Sequence, residues 1–158
     1  MRSEEDVKQA IDTYADTVKR ICFIHLKNAA DTDDIFQTVF LKYAMSNTVF
    51  KSAEHEKAWF IRVTINACKD LLKSFFRRQT VPLEAYIAEN PALEDHSEVL
   101  EAVLSLPEKY RRVVYLHYYE GYTAPEIATI LHINVNTVYT HLTRAREALR
   151  DELGGEGA

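Results

Sequence analysis

The sequence predicts an all-α protein of two small helical domains joined by an acidic linker, the second domain containing a helix-turn-helix. Three observations predict this. Apolar residues recur at helical rather than alternating spacing, glycine and proline are scarce at 4 each in 158 residues, and charge changes sign in blocks along the chain. The expected boundaries are 1–78 for the first domain, 79–100 for the linker, 101–153 for the second domain and 154–158 for a flexible tail.

The net charge of −5 argues at first against a nucleic-acid partner, but its distribution reverses that reading. Six basic residues (Lys57, Arg62, Lys69, Lys73, Arg77, Arg78) stand against Asp70 alone over 57–78. Six acids (Glu84, Glu89, Glu94, Asp95, Glu98, Glu101) then occupy 81–102 without a lysine or arginine. Two nucleic-acid-facing modules with a linker of opposite sign would produce this pattern. Pro82 and Pro91 disfavour a helix at the start of the linker.

The first domain reads as three helices. Helix one, Glu4–Leu26, aligns Val7, Ile11, Tyr14, Val18, Ile21 and Cys22 on one stripe. Helix two starts near Asp31 to Asp34, where carboxylates favour a helix N-terminus, and buries Ile35, Phe36, Val39, Phe40 and Tyr43. Its opposite face carries Asp34, Gln37 and Leu41, an apolar contact flanked by polar groups, as a protein-docking face requires. The stretch 46–55 is polar and loop-like, and Asn47, Thr48, Lys51, Ser52 and His55 can all hydrogen-bond an exposed base.

Helix three, about 54–76, sets Phe60, Thr64, Ala67, Leu71 and Phe75 on the buried side. Arg62, Asn66, Lys69, Lys73 and Arg77 fall in one narrow sector, a basic stripe suited to a nucleic-acid backbone. A solvated lysine-rich face is the plainer reading, and the shortage of acids at i±4 weighs against it.

Residues 123–146 are the most informative segment. Thr123 and Glu126 form a capping box, and Asn134 caps a second helix after a short turn. Ala128 allows close approach of the two helices, and Ile127, Leu131, Ile133, Val138 and Leu142 supply the wedge between them. Asn136, Thr137, Thr140 and Arg144 face away from the apolar stripe Val138, Leu142, Ala145 and Leu149. Amide, hydroxyl and guanidinium groups on one open face suit base edges and phosphates in a major groove.

Other constellations are weaker. Cys22 and His25 are three residues apart and Cys68 lies on another helix, but a single CxxH without a second close pair is poor evidence for zinc. The two cysteines read as reduced core residues. Tyr110, Tyr115, Tyr118, Tyr119 and Tyr122 suit the core of the helix-turn-helix domain better than base stacking. No phosphate loop, catalytic triad or paired carboxylates emerges, so neither an enzyme, a cofactor, a metal nor a small-molecule substrate is expected. There is no apolar run able to span a membrane and no leader, which predicts a cytoplasmic chain.

Taken in order, these segments resemble the bacterial RNA polymerase sigma factors. Asp31, Asp34, Gln37, Phe40 and Leu41 form a DxxDxxQxxFL pattern similar to the helix that grips the β′ clamp helices of core RNA polymerase. Ala58, Trp59 and Phe60, followed by Asn66 and Asp70, resemble the helix that melts the promoter and reads its −10 element. The run 106–111 (LPEKYR), then 119–123 (YEGYT), leads into a −35-reading helix-turn-helix ending in RAR. Two modules without a third domain between them match the extracytoplasmic-function (ECF, group IV) type.

The resemblance implies a joint mechanism. Asp34, Gln37 and Leu41 would dock on core polymerase. Asn47, Thr48, Lys51, Ser52, His55, Arg62, Asn66, Lys69 and Lys73 would hold the unpaired −10 strand of promoter DNA, with a flipped base captured in a pocket. The second module would dock on the β flap and place Asn136, Thr137, Tyr139, Thr140, His141, Arg144 and Arg146 at the −35 element. The linker carboxylates would stand in for phosphates in a basic polymerase channel. An anti-sigma factor, in some relatives membrane-bound, would mask both modules.

The chain departs from the family pattern at His132 and Asn136, where glycine is usual, and at Tyr139 and His141, where lysine and arginine are usual. Fewer cations imply weaker phosphate attraction, so His141→Arg is expected to raise promoter affinity and steepen its salt dependence. Two other functions fit the residues: a stand-alone helix-turn-helix regulator that binds a palindromic duplex by itself, and a sigma-like protein that binds polymerase without reading promoters.

Overall fold

The computed structural model describes residues 1–26, 29–74 and 97–153, and every described element is helical. The chain divides into two compact units, Met1–Thr80 and Val81–Ala158. None of the described helices is long and apolar enough to cross a membrane.

The first unit holds α1 (Glu4–Leu26), α2 (Ala29–Met45) and α3 (Ala53–Ser74), with α1 packed on both of the others. Helix α1 opens on Glu4, Glu5 and Asp6, and Ser3 Oγ accepts from the Asp6 N–H at 3.1 Å, so both dipole and free donors are served. Tyr14, Val18, Ile21 and Cys22 are buried as the stripe predicts, whereas Val7 and Ile11 reach only the edge of the core. Helix α2 begins two residues ahead of Asp31, and both Asp31 and Thr32 are buried.

The core centres on Phe60, which is fully buried. Its ring lies 4.6 Å from Tyr14, 4.9 Å from Tyr43, 5.0 Å from Trp59 and 5.2 Å from Phe40. One aromatic side chain thus ties α3 to both other helices, with edge and offset geometries that ring quadrupoles favour. Cys22 and Cys68 are both buried and unbridged. His25 is buried with Nδ1 3.0 Å from the Ile21 carbonyl, which can only accept, so this nitrogen carries the proton. Among the described residues no cluster of His, Cys, Asp and Glu is placed to hold a metal ion.

In the second unit, α4 (Ser97–Leu104) starts ahead of the expected boundary at 101, and residues 79–96 of the expected linker lie outside the described residues. Helix α5 (Glu108–Val114) follows Pro107 and runs into a π-helical turn, Tyr115–Tyr119. Arg111 is buried, and its guanidinium donates to the Leu104 carbonyl at 3.1 Å, closing the end of α4. Arg112 pairs with Glu108 one turn back at 2.8 Å.

The π-helical turn corrects one expectation. Its wider winding keeps Tyr115 and Leu116 inside but turns Tyr118 and Tyr119 out to 57 % and 62 % exposure, so only some of the tyrosines are core. Gly121, at φ 81°, then makes a bend that an L side chain would strain.

The helix-turn-helix consists of α6 (Ala124–Leu131) and α7 (Val135–Glu152), packed on each other. The Thr123–Glu126 capping box forms in both directions, at 3.3 Å and 2.9 Å. Helix α6 ends at His132 in the left-handed conformation (φ 57°, ψ 46°), the position where the sequence lacks the usual glycine. Asn134 caps α7, its Oδ1 accepting from Asn136 at 2.7 Å.

Candidate nucleic-acid interface

The outer face of α2 presents Asp34, Gln37 and Leu41 together, all exposed. Leu41 is 64 % exposed, and Met45, one turn further along the same face, is 62 % exposed. Sequence reading missed Met45, although its i+4 relation to Leu41 was there to find.

The loop joining α2 to α3 is built from the polar residues expected to read bases, and several of their hydrogen-bonding groups are engaged in folding it. Ser46 Oγ donates to Thr48 Oγ1 and accepts from the Thr48 N–H, both at 3.0 Å. Ser52 Oγ caps α3 by accepting from the His55 N–H at 3.1 Å. His55 Nδ1 accepts from the Lys51 N–H at 3.1 Å, and its ring stands edge-on to Phe50 at 5.3 Å. The Oδ1 of Asn47 accepts from the Met1 amino group at 2.7 Å.

Beneath this loop lies a cleft of about 590 Å³ lined by Arg2, Asp6, Tyr14, Tyr43, Phe50 and Glu56 among others. The Glu56 carboxylate accepts from Tyr14 through one oxygen and from Tyr43 through the other, each at 2.9 Å. Burial, reinforced by the bonded and negatively charged Glu56, pushes the Tyr43 phenol up to about 12. Tyr43 therefore stays a neutral donor at any physiological pH.

Along α3, Asn66 and Lys73 are exposed and Arg62 and Lys69 are half-buried, while Phe60, Thr64 and Ala67 face the core and Leu71 is half-buried. The predicted stripe is thus present over 62–73, and Phe75 and Arg77 lie outside the described residues. The Ser52 cap starts α3 directly from the loop, and the stripe begins at Arg62, nearly three turns further along the helix.

In the second unit the open face of α7 displays Asn136, Tyr139, Thr140 and Arg144, with Thr137 half-buried. A groove of about 260 Å³ runs along this face between Tyr139, Thr140, Thr143, Arg144 and Glu147. Thr143 and Glu147 were absent from the predicted set, though they continue the Tyr139 row at i+4 and i+8.

Two predicted contacts are placed differently. His141 is half-buried with its ring 5.4 Å from Tyr110. Desolvation, then the charges of Lys109, Arg112 and Arg144, lower its pKa, so the neutral form is favoured. Arg146 donates through Nε to the Tyr118 hydroxyl at 2.6 Å and lies over that ring, which fastens it to the π-helical turn. Chain spacing sets only the angle of these residues about α7. What stands opposite them comes from α5 and the turn after it.

Comparison with known proteins agrees with both units. Residues 10–79 match the model of Sigma-70 region 2, and residues 96–149 match that of Sigma-70, region 4. The chain is similar to the RNA polymerase sigma factor SigV of Bacillus subtilis, 30% identical over 140 residues, covering 87% of this chain and 84% of that one. It is also similar to the ECF RNA polymerase sigma factor SigW of the same organism, 28% identical, covering 90% and 86%.

Two solved structures share the fold. CnrH in complex with the cytosolic domain of CnrY aligns at a TM-score of 0.71 and 22% identity, covering 98% of this chain and 91% of that one. Sigma factor RpoE in complex with the anti-sigma factor NepR, from Bartonella quintana, aligns at 0.73 and 15%, covering 96% and 99%. A capped helix-turn-helix, a helical unit with a basic stripe, and family matches over both place the chain in the sigma-70 family, as an ECF-type sigma factor that gives RNA polymerase its promoter specificity.

Proposed function

We propose that this chain divides promoter recognition between its two units, with the loop at 46–55 and α3 on the −10 strand and α7 on the −35 duplex. On this reading the domains are 1–78 and 101–153, with 79–100 as linker, 154–158 as tail, and the first turn of α4 from Ser97 leading from the linker into the second domain. The observation that carries the reading is that one helix, α3, starts from a polar loop beside a cleft and further along carries a basic stripe at its surface. Hydrogen-bonding groups lie beside a cleft large enough for a base, and cations that can hold phosphates stand on the later turns of the same helix.

Asp34, Gln37, Leu41 and Met45 form the surface for the β′ clamp helices. Arg62, Lys69 and Lys73 position the −10 strand, while Asn47, Thr48, Lys51, Ser52, His55 and Asn66 surround the extruded bases. Asn136, Thr137, Tyr139, Thr140 and Arg144 read or grip the −35 groove. His141 and Arg146 support that face, because each is engaged with another aromatic side chain. The catalysis belongs to the polymerase, and we assign the chain itself no reaction. The protein acts in the cytoplasm, where an anti-sigma factor covers the units until a signal arrives. The anti-sigma factor NepR bound to RpoE in one of the two similar solved complexes supports this regulation.

The test is transcript-start mapping on genomic DNA with core RNA polymerase, with and without the chain. New starts sharing paired upstream motifs are expected, and Asp34→Ala with Gln37→Ala abolishes them. No new start despite tight binding to core refutes promoter reading; tight binding of the free chain to a palindromic duplex would make it a stand-alone regulator.

A further inference from the structure

Arg2 stands ahead of α1, in a stretch where the sequence reading assigned no role, yet it holds the loop from both sides. Its backbone N–H donates to the Ala44 carbonyl at 2.8 Å. Its guanidinium donates through Nε to the Tyr43 carbonyl at 3.1 Å, where α2 ends, and through a terminal nitrogen to the Thr48 carbonyl inside the loop. The same plane lies 4.2 Å from the Tyr43 ring centre and 5.2 Å from that of Phe50. Those two rings are nearly parallel, 11° apart, and Phe50 in turn stands edge-on to Trp59 of α3 at 5.9 Å. One cation thus fastens the end of α2, the middle of the loop and its last aromatic residue to one another.

We propose that Arg2 is a positioning residue for −10 recognition, fixing the 46–52 loop in the shape that receives the unpaired strand. This rests on the assignment of that loop to the −10 element. A preorganised loop avoids ordering its backbone when the strand is captured, and that ordering otherwise subtracts from the free energy available for melting. Lysine cannot replace this arginine, since a point charge has neither the planar face for two rings nor the fork for two carbonyls.

The experiment compares Arg2→Ala and Arg2→Lys with the unaltered chain in two measurements. Hydrogen exchange on the full-length protein reads the loop itself, where faster exchange is expected over 46–52 in both variants. Permanganate reactivity of unpaired thymines, in holoenzyme on a promoter found by start mapping, reads opening. About a tenfold loss of open complexes is expected in both, the size that losing a charge-assisted clamp brings, with affinity for core and the salt slope unchanged.

Rescue by Arg2→Lys, or a shallower salt slope in Arg2→Ala, would make Arg2 a phosphate contact and overturn the proposal. Unchanged exchange, or a loosened loop with normal opening, overturns it as well. An unaltered chain that selects no start refutes the promoter reading, and this proposal with it. That failure shows before any variant is compared.

Discussion

Replacing Glu56 tests the polar node that ties the start of α3 to α1 and α2. Its carboxylate accepts from Tyr14 and Tyr43 at 2.9 Å each, and both tyrosines are buried, at 6 % and 4 % exposure. A hydrogen bond to a charged acceptor contributes about 1.5–3 kcal/mol, and half-exposure of Glu56 argues for the lower end of that range. Glu56→Ala is therefore expected to cost about 3 kcal/mol, while Glu56→Gln, which keeps one acceptor and a polar partner, costs about 1 kcal/mol.

The assay is urea unfolding followed by fluorescence of Trp59. It is the only tryptophan in the chain and lies against Phe60 and Tyr43, so the transition reports the first unit alone. Tyr43→Phe combined with Glu56→Ala should cost clearly less than the sum of the two, because they share one bond. A loss below about 0.5 kcal/mol for Glu56→Ala, or strict additivity with Tyr43→Phe, would refute the node.

The same contact has a pH signature. Folding holds Tyr43 neutral up to about 12 against an ordinary 10.0. Its contribution is fully present below pH 10 and is lost as pH rises toward 12, because only the unfolded chain gives up the proton in that window. Tyr43→Phe should remove that part of the alkaline loss; an identical alkaline limb in the variant contradicts the assignment.

Other expectations concern the second unit. His132→Gly relieves a left-handed residue at φ 57° and should stabilise that unit by about 0.5–1 kcal/mol in a thermal melt read by circular dichroism; a lower midpoint would show that the His132 side chain contributes more than the strain costs. His141 has a lowered pKa, so its contribution is complete above pH 6.5 and falls as acid protonates the unfolded chain first. His141→Gln should flatten that acid limb, and an unaltered acid midpoint would dismiss the effect. The gain in promoter affinity expected for His141→Arg comes with a cost in stability, because the new guanidinium would stand beside Tyr110 among the charges of Lys109, Arg112 and Arg144; a raised thermal midpoint would contradict that cost. Arg144→Ala should weaken promoter binding and reduce its salt slope by about 1, as the loss of one phosphate contact does; an unchanged slope assigns Arg144 to base reading or packing.

Much of the molecule was legible in the residues because its determinants are local. The Thr123–Glu126 capping box, the Asn134 cap and the stripe of α1 depend on groups within a turn or two of each other, so spacing alone specifies them. The exposure of Asp34, Gln37 and Leu41 follows equally from periodicity once Ile35, Val39 and Tyr43 point inward. Tertiary packing decided the rest. Arg2 and Thr48 are 46 residues apart and Arg146 and Tyr118 are 28 apart, distances over which no periodicity carries information. Whether a cation on a helix is free to meet a phosphate, or is already held by a ring and a hydroxyl, depends on which element lies opposite. His141 and Arg144 sit less than one turn apart on α7; α5 covers one and leaves the other open. Local spacing was enough for the three helices of the first unit and for the helix-turn-helix with its Thr123 and Asn134 caps, but not for α4, α5 or the π-helical turn. The fold alone chose which of the polar side chains remained exposed, because that choice is made by contacts between segments far apart along the chain.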